Sequence, residues 1–164
     1  MIFLTVGSWH RGFDRLVREV DTLKKNGVIS EEVLAQIGSS SYRPTYLNAI
    51  DYFSPGEFVN VLGRSRIVIS HAGMGTIIEA VSRKKTVIVV PRMARLGEAN
   101  TDHQFDTARQ LEVEGKILVA YEESMLPIKI KEAETFIPKQ SESCPEVLRV
   151  VQDFIESIAG RIHS

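Results

Sequence analysis

The segment Ser70-His71-Ala72-Gly73-Met74-Gly75-Thr76-Ile77-Ile78-Glu79-Ala80 follows the apolar run Ile67-Val68-Ile69. A buried strand therefore ends at a glycine-punctuated turn, with a histidine, a threonine and a glutamate close by. Glycines at 73 and 75 let backbone approach a ligand with no Cβ in the way. A helix beginning at about Thr76 would aim free N–H groups, equivalent to roughly half a positive charge, at whatever lies before it. A phosphate or diphosphate meets both conditions. Glu79 has two readings that its spacing leaves open. Thr76 and Glu79 match a capping box, in which each side chain bonds the other residue's backbone N–H. Alternatively, Glu79 reaches past a bound phosphate, which would repel it, and accepts from the adjacent hydroxyls of a ribose. The second reading points to a nucleotide.

Three other turns share this small, polar character: Gly7-Ser8, Gly38-Ser39-Ser40-Ser41, and the long segment from Pro91 to His103. On the last of these, Arg92 and Glu98 are either a solvated surface pair or part of a wall that faces a sugar. Asp102, His103 and Gln104 close the segment as further candidates, although Thr101 and Gln104 also have capping-box spacing. His71 either satisfies a backbone carbonyl or lies beside the phosphates. His10 is a candidate base or an ordinary exposed loop histidine. A dinucleotide fingerprint is a poor fit. Gly73-Met74-Gly75 begins as G-x-G, but Ile78 stands where the third small residue belongs, and the next strand ends at Pro91-Arg92 without an acid for a ribose. No carboxylate cluster or His/Cys set has metal-ligand spacing, so neither a metal nor a cofactor is expected.

These turns need a scaffold, and the rest of the chain describes one. Short β-branched runs at Ile2 to Val6, Val33 to Ile37, Ala49 to Phe53, Arg66 to Ser70, Thr86 to Val90 and Lys116 to Ala120 alternate with segments of helical period. That alternation predicts an α/β fold, a Rossmann-like parallel sheet flanked by helices, with ligands collecting beyond the carboxyl ends of the strands. Phe13, Leu16, Val17, Val20 and Leu23 fall on one helical stripe that stops at Asn26-Gly27. Ser54-Pro55-Gly56-Glu57 predicts a capped helix running to Leu62. A last helix over about 145–159 carries Val147, Leu148, Val151, Phe154, Ile155 and Ile158 on one face. Residues 127–143 have the least pattern and read as a surface connection.

The 164 residues, 43% hydrophobic, suit a single domain spanning 1–164, and a net charge of -1 with mixed signs gives no footprint for nucleic acid. One cysteine, Cys144, excludes an internal disulfide and fits the cytoplasm. Met1 to Val6 is too short for a signal peptide or a membrane span.

The stretches IFLTVGS and FDRLV within 2–17, QIGSSSYRP at 36–44, SHAGMGTIIEA at 70–80, VIVVPR at 87–92 and DHQ at 102–104 stand together in one order. In that order they resemble the family-28 glycosyltransferases, specifically the nucleotide-sugar-binding C-terminal half of a two-domain GT-B enzyme. The chain resembles short stand-alone members of bacterial exopolysaccharide and capsule synthesis. These are related to the eukaryotic subunit that adds the second GlcNAc to a lipid-linked oligosaccharide. The resemblance implies that Gly73 and Thr76 meet the diphosphate, Glu79 the ribose and Gln104 the sugar hydroxyls, while Gly7, Ser8, Gly38 and Ser39 line the nucleotide cleft. It also implies an inverting UDP-sugar-dependent transferase acting on a lipid-linked sugar acceptor. The donor would be UDP-GlcNAc, UDP-Gal, UDP-Glc or UDP-GlcA. A membrane-anchored partner subunit would hold the acceptor and recruit this chain to the inner face of the membrane, with the 145–159 helix as a docking candidate. A non-catalytic nucleotide-sugar sensor is the rival expectation. Ser8-Trp9-His10 and Phe105 depart from many relatives and leave the sugar open.

Overall fold

The computed structural model describes residues 1–139, so the helix expected over about 145–159 lies outside the described residues. Six parallel strands form one sheet in the order β3-β2-β1-β4-β5-β6. They are β1 (Ile2–Thr5), β2 (Val33–Gln36), β3 (Asn48–Ile50), β4 (Ile67–Ser70), β5 (Thr86–Val89) and β6 (Leu118–Val119). All six expected strands are present. The central ones are buried on both faces, which explains why they read as unbroken Ile and Val runs rather than alternating ones.

Alternate side chains of β1 feed two separate cores. Ile2, Leu4 and Val6 pack with Leu16, Val17 and Val20 of α1 (Asp14–Lys25) and with Leu126 and Ile130 of α5 (Leu126–Glu132). Phe3 turns the other way, toward Val61 and Leu62 of α2 (Pro55–Arg64), Ile77 and Ala80 of α3 (Met74–Ser82) and Ala108 of α4 (His103–Val113). Helices thus cover both faces of the sheet. The Ser54–Glu57 capping box forms, with both reciprocal bonds present.

Strand order decides where a ligand can sit. The chain leaves β1 on one side of the sheet and β4 on the other, and these two strands are neighbours, with Thr5 opposite Ser70. Their outgoing loops diverge and open a crevice at the carboxyl edge.

Candidate functional site

The crevice is built from the ends of β1 and β4 upward. Thr5, Gln36 and Ser70 form a buried polar row across β2, β1 and β4. Their side chains serve the loop backbone directly above them. Thr5 Oγ1 accepts from Gly7 N–H at 3.2 Å, Gln36 Oε1 accepts from Phe53 N–H at 3.1 Å, and Ser70 Oγ donates to the His71 carbonyl at 3.0 Å. Buried loop backbone is thereby kept paired.

Gly7, Ser8 and Trp9 from the first loop face His71, Gly73, Gly75 and Thr76 from the fourth across a cleft of about 380 Å³. Six residues expected at the nucleotide come together here. The helix behind them begins two residues earlier than the sequence suggested, with Gly73 as its N-cap. Thr76 therefore lies inside the first turn, and the Thr76–Glu79 capping box does not form. Glu79 pairs with Arg83 at 2.7 Å on the half-exposed flank of α3. The first helical hydrogen bond runs from Ile77 N–H to the Gly73 carbonyl at 3.2 Å. The amides of Met74, Gly75 and Thr76 precede it and point out of the helix start.

His71 forms the floor of the cleft and explains two of its glycines. A Cβ on Gly73 would lie 2.2 Å from His71 Nε2, and one on Gly7 would lie 2.5 Å from Cε1. Gly7 also has φ +78, where an L side chain is strained. The ring is clasped between two backbones, with its Nδ1 buried and unpartnered. Burial, followed by the nearby Arg92 charge, lowers its pKa from 6.5 to about 4. The unfolded chain then binds a proton that the folded chain refuses. Stability from this group is complete above pH 6.5 and drains away as pH falls toward 4, at about 1.4 kcal/mol per pH unit. Denaturant midpoints should accordingly fall between about pH 7 and pH 5, and His71→Asn should flatten that fall. Equal slopes in the two proteins would remove the imidazole as the cause.

The long β5–α4 loop corrects the surface reading of Arg92 and Glu98. Arg92 is 0% exposed. Its Nη1 donates to the carbonyls of Arg11, Gly12 and Glu98 at 3.2, 2.9 and 3.2 Å, and Nη2 donates to that of Val6 at 2.9 Å. Burial pulls its pKa down to about 10, which still leaves a cation at neutral pH. Buried Glu98 accepts a two-pronged bond from Arg15, at 3.0 and 2.9 Å, and a third from Met93 N–H at 2.9 Å. Neither side chain is a solvated ion: the Arg92 Nη atoms and both Glu98 carboxylate oxygens are taken up by protein partners. Together they fasten the loops that do line the cleft. An arginine directly after Pro91, where a strand enters a long polar loop, was the available signal for this role.

Gln104 is tied to loop backbone. The N-cap of α4 is Asp102, without a side-chain cap bond, so the Thr101–Gln104 box is absent. Gln104 Oε1 instead accepts from Ala72 N–H at 3.2 Å and Arg92 N–H at 3.1 Å, bridging the fourth and fifth loops. Two backbone donors fix the amide's orientation by identifying its oxygen end. Asp102 Oδ1 accepts from Ala94 N–H at 2.9 Å and borders a separate hollow with Met93, Arg95, Phe105, Tyr121 and Glu122. His103 is exposed beside it. Ser39 bonds Tyr52 Oη at 2.7 Å and, with Glu98, borders a third hollow on the α1 side. Gly38, at φ +54, donates its N–H to the Asp51 carbonyl at 2.9 Å and turns the chain out of the sheet. His10 is exposed, with its ring edge-on to Trp9.

Residues 1–146 match the family model described as the glycosyltransferase family 28 C-terminal domain. The chain belongs to this family. The family 28 domain is 30% identical, over 107 residues, to proteins named UDP-N-acetylglucosamine transferase subunit ALG13 from two strains of Cryptococcus neoformans. That match takes in 63% of this chain and 51% of each relative, so the chain spans about half the length of the curated relatives it matches. Among solved structures, the family 28 domain superposes on the NMR structure of ALG13 with a TM-score of 0.61 at 18% identity, covering 91% of this chain and 93% of that one. Acinetobacter baumannii MurG gives 0.55 at 19% identity, over 81% of this chain and 40% of the other. These likenesses establish the fold, the Rossmann-like C-terminal half of GT-B glycosyltransferases. Among the described residues of this family 28 domain, no helix is long and apolar enough to cross a membrane.

Proposed function

We propose that this chain is the donor-binding, catalytic subunit of an inverting UDP-sugar-dependent glycosyltransferase. The observation that carries the proposal is the cleft between Gly7-Ser8 and the start of α3. It offers three outward amides and the Thr76 hydroxyl to a diphosphate, and a carboxylate, Glu79, stands one turn further along the helix. Developing negative charge on the departing UDP would meet donors already in place, which is the electrostatic core of leaving-group catalysis. An acceptor hydroxyl would attack the anomeric carbon from the opposite face through an oxocarbenium-like transition state. The relatives named as UDP-N-acetylglucosamine transferase subunits support a uridine donor and a further subunit. We assign the acceptor, a lipid-linked sugar, to a membrane-anchored partner that would draw this chain to the inner face of the membrane.

Glu79 is available to a ribose because its partner Arg83 lies on an exposed flank of the helix, 41% exposed, where ion pairs are readily exchanged. Glu79→Ala should weaken UDP binding by about tenfold, equivalent to about 1.4 kcal/mol, while leaving a 2′,3′-dideoxyuridine diphosphate unaffected. Calorimetry on both ligands tests this. Unchanged UDP affinity would leave Glu79 as a helix-surface residue only. Transfer to a lipid-linked acceptor, assayed with the partner supplied, separates the enzyme from a nucleotide-sugar sensor, which would bind the donor and transfer nothing.

A further inference from the structure

The donor cleft contains one residue that a diphosphate does not call for. Trp9 forms part of its wall, opposite Gly73, Gly75 and Thr76. An indole contributes a broad apolar surface and a single N–H donor, whereas phosphate oxygens need many donors. The indole is also held in place. The buried Arg92 guanidinium donates to Val6 on one side of residues 7–10 and to Arg11 and Gly12 on the other, so both ends of this short loop are tied to one side chain. Two guanidiniums then pack against the ring itself, Arg11 at 5.2 Å and Arg92 at 5.7 Å from its centroid. Arg11 is in turn anchored to the β5–α4 loop through the carbonyls of Gly97 and Ala99, at 3.2 and 3.3 Å. A large, half-buried aromatic surface fixed by three connections is suited to selective contact rather than to solvent.

Position gives the contact its object. Glu79 lies along α3, so a nucleoside extends from the diphosphate in the direction of that helix. Trp9 lines the same cleft from the β1 loop, where the other end of a diphosphate seated on the α3 amides would lead. The group there is the transferred hexose, whose C–H face is apolar while its edge is hydroxylated. We propose that Trp9 packs against the C–H face of the donor sugar and is a specificity-determining residue of the site. The proposal rests on the reading of the cleft as a UDP-sugar site, and it places sugar selection on the first loop.

Trp9 is the only tryptophan in the chain, so its emission reports this contact without labelling. UDP and a panel of UDP-GlcNAc, UDP-Gal, UDP-Glc and UDP-GlcA would be titrated while emission and heat are followed. The preferred UDP-sugar should alter the emission beyond the change produced by UDP alone. Trp9→Ala should weaken binding of that UDP-sugar by about tenfold and leave UDP within about twofold, and Trp9→Phe should recover most of the difference. Thermal melting of both variants checks that the loop still folds. Should Trp9→Ala not fold, the wild-type comparison of UDP with UDP-sugar decides alone. UDP-sugar binding by calorimetry with an emission change no larger than that for UDP would overturn the proposal and leave the cleft assignment intact. Absence of any UDP binding would overturn both.

Discussion

Replacing Arg92 by methionine is expected to lower stability by about 3–5 kcal/mol, the range seen when a buried charged network loses one member. For a chain of this size that corresponds to a fall in melting temperature on the order of 10 °C. Four carbonyls, those of Val6, Arg11, Gly12 and Glu98, would lose their donor together. Buried acceptors left unpaired are what make such a change expensive. Methionine fills a similar volume, so lost packing contributes little. Arg92→Lys should rescue only a minor part of the loss, because one ammonium group cannot reproduce a planar fork that reaches Val6 and Gly12 at the same time. Differential scanning calorimetry of the three proteins provides the measurement. A drop of less than about 3 °C in Arg92→Met would mean that the loop carbonyls find other donors and that the knot is incidental.

Gly73→Ala is expected to weaken UDP binding by about a hundredfold, or about 2.7 kcal/mol, with a smaller loss of stability. Gly73 has φ -85 and ψ 121, a conformation open to alanine, so backbone strain does not enter. The added methyl would meet His71 Nε2 at 2.2 Å, and the imidazole cannot retreat because Gly7 closes its far side. The strain must instead be relieved by moving the Ala72–Gly75 backbone, and that displaces the amides proposed to meet the diphosphate. The double variant His71→Ala, Gly73→Ala separates this explanation from others. Removing the ring should restore at least about a tenth of the lost affinity. No recovery would show that Gly73 acts through something other than the clasp on His71.

The scaffold was legible because the signals for it are local. Unbroken Ile and Val runs mark strands buried on both faces, and the α1 stripe and the Ser54–Glu57 box appear as their spacing indicates. Strand order was not legible, since it depends on contacts distant in sequence. The cleft residues Gly7, Ser8, His71, Gly73, Gly75 and Thr76 could be grouped because they stand in the two segments that follow β1 and β4 and all are small or polar. The alternatives that spacing left open are decided by contacts that spacing does not carry. Thr76–Glu79 and Thr101–Gln104 have the right intervals for caps, but each helix begins at a different residue from the one the interval assumes. Gln104 and Arg92 take their partners from other loops, Ala72 in one case and Val6 in the other, and no interval within a single segment encodes such pairings. Trp9 stood out as an unusual residue in the first loop, yet its place in the cleft depends on Arg11 and Arg92.

Because a single guanidinium beneath the sheet edge grips residues on both sides of the first loop, that rim is already ordered before any nucleotide arrives. Little entropy is left to be lost there on association, so the heat-capacity change of UDP binding should reflect desolvated area rather than coupled folding. Amides around Gly12 should exchange with deuterium at similar rates with and without nucleotide. On the proposed function, closure over a bound sugar would then be expected from another body rather than from this first loop.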